Sequence, residues 1–199
     1  MIGMVGAILA VALSLTTHAA NDAVRVLMST SKGDIEIDLY TDKAPITAGN
    51  FLRLVDGGHL NGRSFYRTVT YENDKGAPTI EVIQGGMGAA KSPFSPITHE
   101  STGQTGISHS DGVISMARGG IGTASADFFI SIGLQPGLDD GGARNPDKRG
   151  FAAFGKVVRG MDVVKKIHQA PANGPSDSDY TKGQMLTDPV EIISVRRLR

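Results

Sequence analysis

Arg67 and Gln84 are two side chains whose types and placement could serve chemistry, since each lies in a short segment of strand-type composition. An arginine stays charged at physiological pH and presents five N–H donors in a rigid fork. A glutamine amide oxygen accepts such hydrogen bonds, so Gln84 would hold and orient the guanidinium if the fold places the two side chains together. A fixed cation of this kind stabilises a localised lone pair without transferring a proton. Taken alone, Arg67 would equally fit a solvated surface charge.

Apolar side chains accompany this pair. Val82 and Gln84 share one face of their strand by period-2 alternation, and Asp127 and Phe129 share a face in the same way. An apolar wall and polar groups would therefore project together. Taken alone, an aromatic residue such as Phe129 would be a plain core residue, because aromatic side chains in strands usually pack inside.

Other chemistries find little support. The chain has no cysteine, which excludes disulfides, thiol catalysis and the commonest structural zinc sites. His99, Glu100 and His109 form a weak metal signal with no further ligand at suitable spacing. No serine or carboxylate constellation emerges beside a candidate base, as a hydrolase would require. We therefore expect neither a metal nor any other cofactor.

The charge balance bears on partners. Lysine plus arginine equals aspartate plus glutamate, 20 against 20, in 199 residues. No summed field then favours nucleic acid or an anionic membrane, so we expect no nucleic-acid partner. The length suits one domain with a sizeable core.

The N-terminus predicts the location. Residues 2–15 form an apolar run, followed by Thr17, His18 and Ala19 at a small-residue cleavage site. The run is too short for a membrane-spanning helix, which needs about 20 apolar residues. We interpret residues 1–19 as a signal peptide and 22–199 as the functional domain, periplasmic or secreted and not inserted in the membrane after signal removal. The alternative is a buried helix.

The remaining pattern is rich in short strands. Residues 24–30 and 34–40 favour a β-hairpin with one apolar face, and Pro45 begins a helix that ends at Gly57. A second helix is predicted over 161–168, and the C-terminal segment is predicted to form the strand that closes the fold. Many short strands with turn-rich joins are typical of a barrel or a sandwich. The further predicted strands are 64–69, 81–84, 113–117, 127–132, 151–158 and 189–198.

Five segments, in this order, resemble the cyclophilin family, and the resemblance extends from residue 24 to the C-terminus. Each segment alone is a weak signal, so the specificity lies in their order and combination. The segments are Phe-Tyr-Arg at 65–67, Val-Ile-Gln-Gly-Gly at 82–86, Gly-Val-Ile-Ser-Met-Ala-Arg at 112–118, Phe-Phe-Ile at 128–130 and Phe-Ala-Ala-Phe-Gly-Lys-Val at 151–157.

This resemblance implies a mainly β fold: a closed eight-stranded antiparallel barrel capped by two α-helices. It also implies a peptidyl-prolyl cis/trans isomerase, which speeds rotation about X-Pro bonds in unfolded or extended proline-containing polypeptides. We expect the protein to act as a monomer. Arg67 and Gln84 are then the catalytic pair. The expected substrate-binding residues are Val82, Ala117, Arg118 through its main chain, Asp127, Phe129, Leu138 and Phe151. The alternative is a non-catalytic peptide-binding chaperone or assembly module on the same fold.

The sequence departs from the common family pattern at several places. Residues 71–80 and 139–149 look like insertions, and Glu81 stands where a pocket aromatic is usual, so Ile80 could replace that contact. Asp127 stands where glutamine is usual, and its carboxylate could pair with Arg67 or Arg118. Family members that bind cyclosporin tightly carry a tryptophan just before the pocket leucine, and here that position is Gly137.

Overall fold

The computed structural model describes residues 23–198, and the predicted signal peptide lies outside the described residues. Eight strands pair in antiparallel fashion and close into a barrel in the order β1-β2-β7-β5-β6-β4-β3-β8. This confirms the predicted closed barrel. The strands are β1 Ala23–Thr30, β2 Gly33–Tyr40, β3 Arg63–Val69, β4 Val82–Gly86, β5 Val113–Met116, β6 Asp127–Ser131, β7 Ala152–Arg159 and β8 Met185–Arg197.

Three α-helices accompany the barrel: α1 Pro45–Asp56, α2 Thr102–Thr105 and α3 Met161–His168. The first and third are the two predicted helices, and the structure adds the short α2, which the sequence analysis did not predict. Because α2 is a single turn that buries one residue, it leaves no periodic apolar stripe in the sequence. Among residues 23–198, no helix has the length and apolar character to cross a bilayer.

The main core fills the inside of the barrel. Alternate residues of β2, including Ile35 and Ile37, are fully buried in it, as period-2 alternation predicts. The helix α1 contributes Phe51, whose ring packs 5.4 Å from that of Phe128 and 5.2 Å from that of Phe154. These aromatic contacts anchor the strands whose outer faces carry the site.

A second, smaller apolar cluster lies apart from the main core. Ile83 of β4 belongs to the main core, whereas its neighbour Val82 belongs to the smaller cluster. Phe128 and Phe129 of β6 divide in the same way. Since adjacent strand residues face opposite sides, the smaller cluster lies on the outer surface of the barrel.

A β-bulge in β3 decides which way Arg67 faces. Strict alternation would place Phe65 and Arg67 on one face, with Tyr66 opposite them. The register instead shifts between Phe65 and Arg67 against both neighbouring strands, β4 and β8. Phe65 therefore stays in the main core while Arg67 turns to the outer surface, a reorientation that bulges commonly produce next to functional sites.

Candidate active site

A cavity of about 320 Å³ lies on the outer surface of the barrel, over the adjacent strands β6, β4 and β3. Its lining includes every predicted site residue except Asp127, namely Arg67, Val82, Gln84, Ala117, Arg118, Phe129, Leu138 and Phe151. Ile80 lines it as well, and Glu81 does not. The other lining residues, which the sequence did not single out, are Val69, Gly119, Arg144, Asn145 and Tyr180. A wider depression of about 600 Å³ along loop 173–183 has no aromatic lining and no arginine.

Two glutamine side chains hold Arg67 in place. Its Nη1 donates to Gln84 Oε1 at 2.9 Å, as the sequence analysis predicted for that pair. Its Nε and Nη2 donate to Gln184 Oε1 at 3.0 and 2.6 Å. The guanidinium also lies 5.7 Å from the centre of the Tyr180 ring. Burial lowers the pKa of Arg67, but a guanidinium remains charged at neutral pH.

The three arginines of the cavity differ in how many N–H donors they have left. Each guanidinium carries five donors. Arg118 makes five hydrogen bonds, two of them to Asp147, and Arg144 makes four, two of them to Asp74. Arg67 makes three to other described residues, which leaves one N–H on each terminal nitrogen. Arg144 has only its Nε–H left, so Arg67 is the cavity arginine with the most N–H donors left for a ligand.

The apolar part of the cavity is lined by four side chains, those of Val82, Phe129, Leu138 and Phe151. Phe129 and Phe151 meet edge to face, with ring centroids 5.2 Å apart and an interplanar angle of 88°. Leu138 is fully buried at the end of a short 3-10 turn, Pro136–Leu138, and Val82 is 4 % exposed. These side chains offer a preformed apolar surface for a compact ring.

The main chain at Ala117 and Arg118 borders the cavity where β5 ends. The Ala117 N–H donates to the Asp127 carbonyl at 2.9 Å, after which the strand pairing stops. No hydrogen bond joins the Arg118 N–H to another described residue. The Arg118 side chain is 1 % exposed and lies 5.3 Å from the centre of the Phe151 ring. Arg118 thus supports the pocket with its side chain and presents its backbone to the cavity.

Asp127 lies outside the cavity, and the expected pairing with Arg67 or Arg118 is wrong. Its Oδ1 accepts a hydrogen bond from the Gly88 N–H at 2.8 Å, and burial raises its pKa. The cause is the end of β4, where the last residue, Gly86, has φ 129° and its backbone lies close to the Asp127 carboxylate. The carboxylate that pairs with Arg118 is that of Asp147, whose pKa this ion pair lowers to about 2.

The two predicted insertions meet and form one wall of the cavity. Arg144 binds Asp74 through two hydrogen bonds of 2.6 and 2.8 Å, and these side chains are 5 % and 0 % exposed. Arg144 also donates to the Pro78 carbonyl and to the Tyr180 hydroxyl, both at 2.8 Å. Burial of Asp74 opposes its ionisation, but the hydrogen bonds from Arg144 and two backbone N–H groups outweigh it and lower its pKa.

Contrary to the sequence analysis, a serine does lie beside a base. His109 Nε2 is 3.0 Å from Ser115 Oγ, and His109 Nδ1 is 2.7 Å from Asp139 Oδ1. Ser115 and His109 are fully buried, however, and the imidazole stacks 5.8 Å from the Phe129 ring. A substrate carbonyl cannot reach Ser115, so this chain of hydrogen bonds supports the pocket floor from behind. Within residues 23–198, no group of three or more possible metal ligands is present.

The closed eight-stranded antiparallel barrel matches the fold of solved cyclophilin-type structures. A crystal structure of a Cryptosporidium parvum cyclophilin type peptidyl-prolyl cis-trans isomerase matches with a TM-score of 0.65 and 19% identity, over 89% of this chain and 98% of that chain. The same protein solved in the presence of the dipeptide Ala-Pro matches with a TM-score of 0.64. These likenesses concern the fold.

The family follows from sequence comparison. Residues 25–197 match the family model described as cyclophilin type peptidyl-prolyl cis-trans isomerase/CLD. A peptidyl-prolyl cis-trans isomerase of Acinetobacter baylyi is 35% identical over 188 residues, covering 92% of this chain and 90% of that protein. Peptidyl-prolyl cis-trans isomerase A of Dickeya dadantii is 36% identical over 165 residues, covering 79% and 80%. The chain belongs to the cyclophilin-type peptidyl-prolyl cis-trans isomerases, which are enzymes of class EC 5.2.1.8.

Proposed function

We propose that Arg67 accelerates X-Pro rotation by donating a hydrogen bond to the prolyl nitrogen in the twisted transition state. The barrier is the resonance of the amide, about 18–20 kcal/mol. In the planar ground state the nitrogen lone pair is delocalised and accepts hydrogen bonds poorly, whereas twisting localises it. A fixed donor aimed at that nitrogen therefore binds the transition state better than either isomer. The spare N–H groups of Arg67 beside the apolar pocket carry this proposal.

The pocket and the main chain supply the binding that the rotation needs. The proline ring fits against Phe129, Leu138 and Phe151, which hold one side of the bond while the other side turns. The open backbone at Arg118 offers strand-like hydrogen bonds to an extended substrate. We propose proline-containing unfolded polypeptides as substrates, a monomeric enzyme and no nucleic-acid partner, in keeping with the zero net charge.

The direct test is exchange NMR on a short X-Pro peptide with catalytic amounts of the protein. An isomerase produces cis/trans exchange cross-peaks at mixing times far shorter than the uncatalysed process, which takes tens of seconds at about 25 °C. Peptide line broadening without accelerated exchange would instead support the chaperone alternative. Arg67 with spare donors favours catalysis, because peptide binding alone requires no donor directed at the prolyl nitrogen.

Export is a separate proposal, supported by the apolar run 2–15 and the small-residue site that follows it. We propose a periplasmic or secreted protein whose mature chain begins near Ala20. Intact-mass analysis of protein purified from its own organism should give the mass of the chain lacking residues 1–19. A chain that retains Met1 and is recovered with cytoplasmic markers would refute the proposal.

We further propose that cyclosporin inhibits this enzyme only weakly. Gly137 provides no aromatic wall, and the loss of a tryptophan removes about 150–250 Å² of contact and one N–H donor. Gly137→Trp would be expected to increase sensitivity only if the neighbouring insertion left room for the indole. It does not, because a Cβ at Gly137 would lie 2.5 Å from Pro78 Cγ. Titration of the drug in the exchange assay should show weak inhibition of both proteins, and near-stoichiometric inhibition of the wild type would contradict this.

A further inference from the structure

Gln184 holds the edge of the Arg67 guanidinium that Gln84 does not. It lies just before β8 and is fully buried. Its Nε2 donates to the Asn73 carbonyl at 2.8 Å, so its Oε1 is the atom turned toward Arg67. Its backbone carbonyl accepts a hydrogen bond from the Thr68 N–H at 2.9 Å, which ties the loop to the strand that carries Arg67. Position and amide orientation of Gln184 are therefore both set by neighbouring groups.

The orientation of Gln84 is set in a similar way. Its Nε2 donates to the Tyr66 hydroxyl at 2.9 Å, which leaves its Oε1 for Arg67. Arg67 is thus held between two amide oxygens, each of which is prevented from turning its NH2 group toward the guanidinium. Three of its five donors are held in this way, and one N–H on each terminal nitrogen remains on a side chain that lines the cavity.

Both acceptors are neutral, which sets Arg67 apart from the other cavity arginines. Arg118 lies 2.8 Å from the carboxylate of Asp147, and Arg144 lies 2.6 Å from that of Asp74. Among residues 23–198, no carboxylate oxygen lies within 4.0 Å of an Arg67 nitrogen. The amide oxygens satisfy three donors without cancelling the positive charge. In a partly buried site that charge acts with little screening by water.

We infer that Gln184 is a positioning residue for Arg67, and that its neutrality preserves the charge that acts on the prolyl nitrogen. The inference rests on the proposed role of Arg67 as the transition-state donor. A carboxylate at position 184 would accept the same hydrogen bonds from Arg67, but it would lose the hydrogen bond that the Gln184 Nε2 donates to the Asn73 carbonyl. It would also neutralise the guanidinium, so the bond to the localised lone pair would weaken while ground-state binding of the peptide would change little.

The test compares Gln184→Glu with Gln184→Ala, and uses Gln169→Glu as a matched control. Gln169 is exposed at the end of α3, so its variant adds the same charge away from the cavity. We expect Gln184→Glu to lower kcat about tenfold in the folded protein, with peptide Kd within about twofold of the wild type. We expect Gln184→Ala to lower kcat by a similar factor and to broaden or shift the Arg67 Nε–H resonance in ¹⁵N NMR spectra. Gln169→Glu should match the wild type in every measurement.

The outcomes are separable. A wild-type kcat for Gln184→Glu in a folded protein overturns the inference about charge. If Gln184→Glu is destabilised, Gln184→Ala decides: an unchanged kcat and Nε–H resonance refute a positioning role, and losses in both support it. An Arg67→Ala protein measured alongside distinguishes a failure of the inference about Gln184 from a failure of the proposed function. A normal rate in that variant would refute the proposed function itself. Loss of rate in Arg67→Ala with a normal rate in both Gln184 variants would refute only the role of Gln184.

Discussion

Replacing Arg67 by alanine is expected to lower kcat about a hundredfold or more, the usual effect of removing a transition-state donor. Peptide Kd should change by only about threefold, because the Arg67 hydrogen bond strengthens as the amide twists and contributes little to either planar isomer. Exchange NMR at saturating peptide gives kcat, and a titration of chemical shifts gives Kd. The unequal response of the two quantities is the decisive feature.

Arg67→Lys should also be poor, because a point charge cannot meet Gln84, Gln184 and the prolyl nitrogen together. Arg196→Ala is a suitable control, since Arg196 is an exposed arginine on β8. Equal losses in affinity and exchange rate for Arg67→Ala would show that Arg67 serves binding only, and the peptide-binding alternative would then be favoured.

Arg144→Ala is expected to reduce the free energy of unfolding by about 3–5 kcal/mol, the usual cost of breaking a buried ion pair from one side. The variant leaves the carboxylate of Asp74, whose side chain is 0 % exposed, without its cation. It also removes the hydrogen bonds to Pro78 and Tyr180, so the wall between the two insertions should loosen. Urea-induced unfolding at pH 7 measures the loss.

Arg25→Ala provides the matched control for this ion pair. Arg25 binds Asp38 with similar two-bond geometry, at 2.7 and 3.0 Å, but its side chain is 47 % exposed. A solvent-exposed pair contributes about 0–1 kcal/mol, so this variant should unfold near the wild-type midpoint. Equal losses in the two variants would show that burial of the Asp74–Arg144 pair is unimportant.

The free energy of unfolding at acidic pH should also depend on the Asp74–Arg144 ion pair. The folded-state pKa of Asp74 lies below its ordinary value of 3.8, so its contribution is fully present above that value. This stability is lost as the pH falls through the lowered pKa and the carboxylate takes up a proton. Without Arg144, burial leaves Asp74 with a higher folded-state pKa, so the difference in unfolding free energy between the wild type and Arg144→Ala should shrink as the pH falls and be smallest below the lowered pKa of the wild type. A difference that stays constant down to pH 2 would contradict this assignment.

Local sequence pattern was sufficient for most of the barrel and for part of the site. Alternation in residues such as Ile35 and Ile37 predicted strands with one buried face, and the apolar stripe around Phe51 predicted a helix, because both signals are contained within a few residues. The pairing of Gln84 with Arg67 was predicted in another way, from the resemblance of the two motifs that carry them to the cyclophilin family, and the structure places these motifs in adjacent strands. A single-turn helix such as Thr102–Thr105 is too short to show a period, and it was missed.

The features of the site that local sequence did not predict depend on contacts between segments far apart in the chain. The outward turn of Arg67 depends on a bulge whose register against two partner strands no local pattern encodes. Gln184 is 117 residues from Arg67, and Arg144 is 70 residues from Asp74, so folding alone brings each pair together. Asp127 faces Gly88 rather than an arginine because the backbone after β4 covers it first. The sequence by itself determined which residues could do the chemistry, whereas the tertiary structure decided which of their charges are cancelled and which remain available to a substrate.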